Sequence, residues 1–457
     1  MKKLFKKFFL SFVAMPAIAF ASVDSLYEIS NPKALVNVGR SMGKDNIAIE
    51  RHDPHIGYII QDSIHISLKK SEQWIEMEKN TAYSICVDDS KGGLWKVNDF
   101  SYNKETDNCI QLYSGNYVKS GKIQYATKMG NGYTFHLLVG MKYIDLRGKK
   151  HLLGFNGNHT FTRYGKIIYF DSLRYEEINK VLAVDKYKVT ECEIVQTLWD
   201  SIPAQMPTED DYPNFYFWIE KKKSMVKNGL CNAHDSAAVR VYLHQALIYA
   251  NNRSIRDGLQ PVYDLELENR DSLYPTGFGK NGEFEVANAS FFDPPAGIYV
   301  HINKDADGYR LPYYDEWMAL ARAGGNYKYY IWGWDKDSTT ASQYAWFGVR
   351  DPEDKYLKMS MDDPSERDWL ESSCGEWLQK SRPVGMLKPN AYGLYDMVGL
   401  VCENVILQRS VDGYVQTTSC KGGFLTDSLK ALGFGENCSD FNSMKPFQGL
   451  RLVRQIK

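Results

Sequence analysis

The stretch DGYRLPYYDEWMALARAGG, from Asp307 to Gly325, constrains the fold more than any other part of the chain. It combines a turn, an Arg-Leu-Pro and one short helix. Pro312 has a fixed φ suited to a first helical turn. Asp315 and Glu316 fall in that turn, where the helix dipole favours anions. Trp317, Leu320 and Ala321 give one apolar face, and Gly324-Gly325 supplies a left-handed stop. A region built on helices this short must be ordered by something other than long ladders. Trp317, Trp332, Trp334, Trp346, Trp369 and Trp377 crowd the same region, and large rings bury much area while their N–H groups need partners. Buried arginines paired with carboxylates complement such a core when both partners are satisfied. Arg310 and Arg451 are the candidates, with Glu316, Asp396 and Glu403 as partners to choose among. On this reading Arg310, Glu316, Trp317 and Arg451 are structural, and Arg310 is a staple at the foot of the helix.

The chain opens on MKKLFKKFFLSFVAMPAIAFAS. Four lysines precede an apolar run that is too short to span a bilayer comfortably. Ala19-Phe20-Ala21 is a small-x-small cleavage site. Residues 1–21 are therefore expected to be a secretory signal peptide, with a soluble periplasmic or secreted protein following from Ser22. In an oxidising compartment the eight cysteines favour disulfides. Cys86 with Cys109 is the first local bridge expected and Cys420 with Cys438 the next. Lys plus Arg number 55 against 56 Asp plus Glu. That balance excludes a polyanion-binding surface as the chain's main character, and with it a nucleic-acid partner.

Residues 22–175 alternate and are β-branched in GYIIQDSIHISL, GKIQYATKM, YTFHLLVGMKYIDL and KIIYFDSL, which predicts a small all-β module. HDPH, with His52, Asp53 and His55, reads as a polar turn, with a metal site as the alternative. From residue 181 to 457 the texture changes to short helices among aromatic, glycine-rich loops. TECEIVQTLWDSI has an N-cap in Thr190 and apolar spacing through Ile194, Leu198 and Ile202. AAVRVYLHQALIYANNRS places Val239, Leu243, Leu247 and Ala250 at helical spacing. NKDADGY, from Asn303 to Tyr309, reads as a tight turn; it also resembles a calcium loop, but Tyr314 stands at the twelfth position where such a loop carries Glu.

Six motifs of this half occur in a known order: VDKYKVT from Val184, GYRLPYYDEWMALARAGG from Gly308, YIWGWD from Tyr330, PVGMLKPNAYGLYDMVGLVCENV from Pro383, KGGF from Lys421 and GLRLVR ending at Arg454. Together they resemble the formylglycine-generating enzyme, or sulfatase-modifying factor, family. The resemblance implies an α+β fold, a variant of the C-type lectin fold, over residues 181–457. It also implies oxidation of a sulfatase cysteine with copper held by two cysteines. In this chain those two positions, counted from Gly422-Gly423, are Asp427 and Leu432. Two thiolates suit Cu(I) because both are soft, so copper is not expected here. The family's Gly-Asn-Val-x-Glu segment holds calcium. Here it reads Gly399-Leu400-Val401-Cys402-Glu403, which leaves Glu403 as the candidate calcium ligand. Catalytic residues are left unassigned. The sequence thus points to a diverged binding or surface module for a polysaccharide or protein partner. The other reading is a formylglycine-generating or other metal-dependent oxidase.

Overall fold

The computed structural model describes residues 49–52, 55–58, 61–154, 159–163, 166–171, 173–198, 216–228, 230–231, 235–239, 241, 243–268, 297–325, 331, 338–346, 382–406, 418–421, 438–439 and 448–457. The expected signal peptide, Ile202, Asp427, Leu432, Trp332, Trp334, Trp369 and Trp377 lie outside them. Described elements include more strand than helix. Two compact units divide the chain. The first holds residues 1–73, 78–116 and 121–137, and the second 74–77, 117–120 and 138–457.

Among the described residues every element of the first unit is a strand. Asp62–Ile66 runs parallel to Ala82–Val87, which pairs antiparallel with Cys109–Tyr113, and that strand pairs with Ser101–Lys104. Alternation sets which side is buried: Ile85, Ile110 and Leu112 are fully enclosed. Cys86 stands opposite Cys109 in register, and the two are joined by a disulfide. Trp95 lies over Tyr125 and Phe135, with ring centroids at 4.8 and 6.0 Å. Gly93 permits this contact, because a Cβ there would stand 2.3 Å from the Ala126 carbonyl oxygen and 2.6 Å from the Tyr125 ring. The GYIIQDSIHISL run is two strands, His55–Tyr58 and Asp62–Ile66, instead of one. His52 and His55 stand opposite each other in the register of the antiparallel pair Ile49–His52 and His55–Tyr58, and Asp53 lies outside the described residues.

The second unit is organised by an antiparallel sheet in the order Met141–Asp145, Val181–Asp185, Val453–Ile456, Tyr309–Arg310. Gly140, at a φ of 67°, turns the chain and splits YTFHLLVGMKYIDL into two strands. Val181–Asp185 is buried along its whole length, as a strand covered on both faces must be. Ala183 packs with Ile194 and Val195 of helix α1 (Glu191–Thr197) and with Leu247 and Ala250 of helix α3 (Leu243–Arg256). Between these two helices in the chain lies α2 (Tyr216–Lys227). Leu182 and Val184 pack instead with Trp317, Leu320 and Ala321 of helix α4 (Tyr314–Arg322). Helices therefore cover both faces of the sheet. A second sheet runs Cys438–Ser439, Thr418–Lys421, Cys402–Ile406, Gln448–Gly449, with Cys420 opposite Cys438 in backbone register.

Local signals explain the helix ends. Thr190 caps α1: its hydroxyl accepts from the Glu193 N–H, and the Glu193 carboxylate accepts from the Thr190 N–H. A disulfide from Cys192 to Cys231 ties this helix start to the segment after α2. Beside it, Lys222 of α2 is buried with Asp235, to which it donates, and its Nζ lies 3.3 Å from Glu191. Val239 lies before α3, not on it, because that helix begins at Leu243. Pro312 likewise falls outside α4: Tyr313 is its N-cap, so the proline sets the extended approach and not the first turn. The left-handed stop starts one residue earlier than the glycine pair, at Ala323 with φ 48°, and continues at Gly324 with φ 79°.

Candidate functional site

At the foot of α4 the two terminal nitrogens of Arg310 donate to the two oxygens of Glu316 at 2.6 and 2.8 Å. Lys180 donates to Glu316 at 2.7 Å, and the Tyr313 backbone N–H donates to it at 2.9 Å. One carboxylate thus caps the helix and pairs with two cations. Burial alone would push the Glu316 carboxyl up, but Arg310 and Lys180 outweigh it and hold the pKa at about 2. The same two cations approach the Tyr313 ring, with the Arg310 guanidinium 4.5 Å and the Lys180 ammonium 4.7 Å from its centroid.

A second charged cluster lies deeper. Glu403, fully buried, accepts from Lys188 at 2.7 Å and from Arg451 at 3.0 Å through one oxygen, and from the Trp317 indole N–H at 2.8 Å through the other. Arg451 also donates to the backbone carbonyls of Asp185 and Tyr395. Burial raises the Glu403 carboxyl, and Arg451 and Lys188 reverse that and hold it below the ordinary carboxylate range. Next to this cluster Asp185 receives both terminal nitrogens of Arg253 at 2.8 Å. Asp396 pairs with neither arginine. One of its oxygens accepts from the Gly385 N–H at 2.6 Å, and the other has no partner.

The family's metals can be tested against these donors. A calcium ion bound to Glu403 would stand beside two positive charges, and both carboxylate oxygens are already engaged. Leu400, buried at 1%, offers no side-chain oxygen. These residues do not fit calcium. An aspartate and a leucine, at 427 and 432, do not provide the soft pair that Cu(I) favours. Cys402 is itself in a disulfide.

The structure therefore joins Arg310 to Glu316, and Arg451 to Glu403 and Trp317, and it keeps the two clusters separate. It adds Lys180 and Lys188, which the sequence does not single out. Each is a lysine beside a strand, a common surface pattern, and its carboxylate partner lies 136 or 215 residues away in the chain.

Glu316 and Tyr313 also line a cavity of about 830 Å³ within the second unit. Its apolar wall includes Leu153, Ile178, Ile302 and Ile406, and its polar wall includes Asp315, held by Arg174. The turn Asn303–Asp305 contributes another side, with the Asp305 N–H donating to the Asn303 side chain at 3.0 Å. The cavity brings together stretches from positions 153 to 406, so no local motif announces it.

Comparison with known proteins places these features in context. The chain is 28% identical over 218 residues to a protein named chaperone protein LppX from Paenibacillus barcinonensis, a match covering 47% of this chain and 68% of the relative. Among solved structures it resembles Treponema denticola variable protein 1, at 16% identity and a TM-score of 0.40, over 73% of this chain and 98% of that one. It also resembles PvdO from Pseudomonas aeruginosa, at 14% identity and a TM-score of 0.38, over 68% and 92%. Residues 175–456 match the sulfatase-modifying factor enzyme 1-like domain. That match covers more than half of the chain, which therefore belongs to the FGE-sulfatase family.

Proposed function

We propose that this chain is a non-catalytic, extracytoplasmic member of the family, whose C-terminal domain, a variant of the C-type lectin fold, holds a protein partner. The observation that carries the reading is the pair Asp427 and Leu432, which stands where the family's copper enzymes carry two cysteines. Oxidation of a cysteine by molecular oxygen needs a redox centre, and this donor set does not supply a site for one. The signature residues that remain serve other work. Arg310, Glu316, Arg451, Glu403 and Trp317 are committed to one another inside the core.

The name of the relative, a chaperone, favours a protein over a polysaccharide as the partner. The disulfides Cys86–Cys109 and Cys192–Cys231 support an oxidising compartment. Among the described residues no helix is long and apolar enough to cross a membrane. Glu403 serves in this reading as the anchor of an ion-pair cluster and not as a calcium ligand.

Metal content tests the reading. Protein recovered from its native compartment is expected to contain no stoichiometric copper, and a chelator is expected to leave its melting temperature unchanged. One equivalent of copper per chain, lost on mutating Cys420 or Cys438, would establish a different thiolate pair and favour the oxidase.

A further inference from the structure

We infer that the cavity at the foot of α4 receives lysine or arginine side chains from a basic segment of the partner protein, an assignment that rests on the binding-module reading above. The argument begins with a charge inventory of its walls. Glu316 is neutralised by Arg310 and Lys180. Arg174 donates to both Glu176 and Asp315. Three further carboxylates, Glu177, Asp264 and Asp305, line the same cavity, are exposed, and have no side-chain partner among the described residues. Lys304 also lines the cavity and has no carboxylate partner among the described residues, and Lys457 reaches the Asp305 carbonyl. His301 stands opposite Asp264 in strand register. Lys180 leaves one positive charge over once Arg310 balances Glu316, and Lys304 adds another, yet the six carboxylates of the lining still outnumber the four cations Arg174, Lys180, Lys304 and Arg310 on them or beside them.

Shape supplies the second half of the argument. The cavity is about 830 Å³, within the range of sites that enclose a whole ligand. Ile178, Ile302, Ile406 and Tyr313 line it on the apolar side. Lysine and arginine combine an apolar stem with a charged head, and they bury the one while presenting the other to polar groups. A basic side chain entering here lays its stem on the isoleucines and directs its N–H donors to Glu177, Asp264 or Asp305. Such charge-assisted bonds are stronger than neutral ones. An acidic segment would meet the same carboxylates and be repelled.

The test uses the full mature chain and two fluorescent probes, an oligo-arginine peptide and an oligo-glutamate peptide, read by anisotropy at low and high salt. The arginine peptide is expected to bind at low salt and weaken as salt screens the charges, and the glutamate peptide is expected not to bind. The triple variant Glu177→Gln, Asp264→Asn, Asp305→Asn should lose roughly ten-fold or more in affinity with an unchanged melting temperature. A control removing three exposed charges of the first unit, Asp62→Asn, Glu72→Gln, Glu105→Gln, should bind as the parent does. Equal affinity of parent and triple variant, equal loss in the control, or no arginine-peptide binding by the parent would each overturn the inference. So would calcium alone displacing the peptide at one ion per chain, which would make this a cation site. Oxidation of a sulfatase peptide would instead defeat the non-catalytic reading. Failure of the peptide to bind, with no such oxidation, would defeat only the assignment of the cavity.

Discussion

At the scale of single residues, the arginine at the foot of α4 is held by a bidentate bond to one buried carboxylate. Removing one partner of such a pair leaves an uncompensated buried charge. Arg310→Ala is therefore expected to destabilise the chain by roughly 3–5 kcal/mol, seen as a lower melting temperature or insoluble protein. Arg310→Lys keeps the charge but loses the planar fork, so its melting temperature should fall between those of parent and alanine variant. A well-folded Arg310→Ala protein of unchanged stability would contradict the structural role. The sequence marks Arg310 and Glu316 as a staple and a candidate partner six residues apart, but it leaves Asp396 and Glu403 open as well, and the fold chooses Glu316. The partner of Arg451 is less readable. Glu403 lies 48 residues away, and Asp396 suits it equally well on composition. Only the folded chain shows that Asp396 turns to the Gly385 N–H instead.

At the scale of elements, α4 and α1 each depend on a carboxylate or a bridge at their start. The ordinary pKa of the Glu316 carboxyl is 4.5, and folding depresses it to about 2. A depressed carboxylate stabilises the fold fully above its unfolded value, and that contribution is lost as the pH falls through the folded one. The contribution is about 3 kcal/mol by linkage. The melting temperature is thus expected to fall between about pH 4.5 and pH 2, and the part of that fall due to this group should be missing in Glu316→Gln. An identical acid profile in the variant would contradict the assignment. For α1, replacing both Cys192 and Cys231 by serine should cost roughly 2–5 kcal/mol, measured by denaturant unfolding without reductant. No loss would mean that the Lys222–Asp235 contact and the capping box already fix that end. The helix ends themselves were mostly written locally, in Thr190 and in the glycines after Arg322. Val239 and Pro312 misdirect because periodicity and a favourable φ are permitted, not compelled, and neighbouring backbone decides between helix and extended approach.

At the scale of the whole molecule, the family domain is retained, and in the function proposed above its copper chemistry is not. The sheet strand Val181–Asp185 packs helices on both faces, and the ion-pair clusters lock it to the segments around Glu316 and Glu403. Ordered motifs made the family legible in the sequence, because each motif is short and keeps its own turn or core residue. The cavity was not legible, because its walls come from stretches up to 253 residues apart, Leu153 to Ile406, and periodicity carries no information at that range. The central claim is that the chain does not oxidise a sulfatase cysteine. It is tested most directly by incubating the purified protein, supplied with copper and oxygen, with a peptide containing Cys-x-Pro-x-Arg and following the peptide by mass spectrometry. The account predicts an unchanged peptide with its thiol intact; multiple-turnover conversion of that cysteine to formylglycine would contradict it.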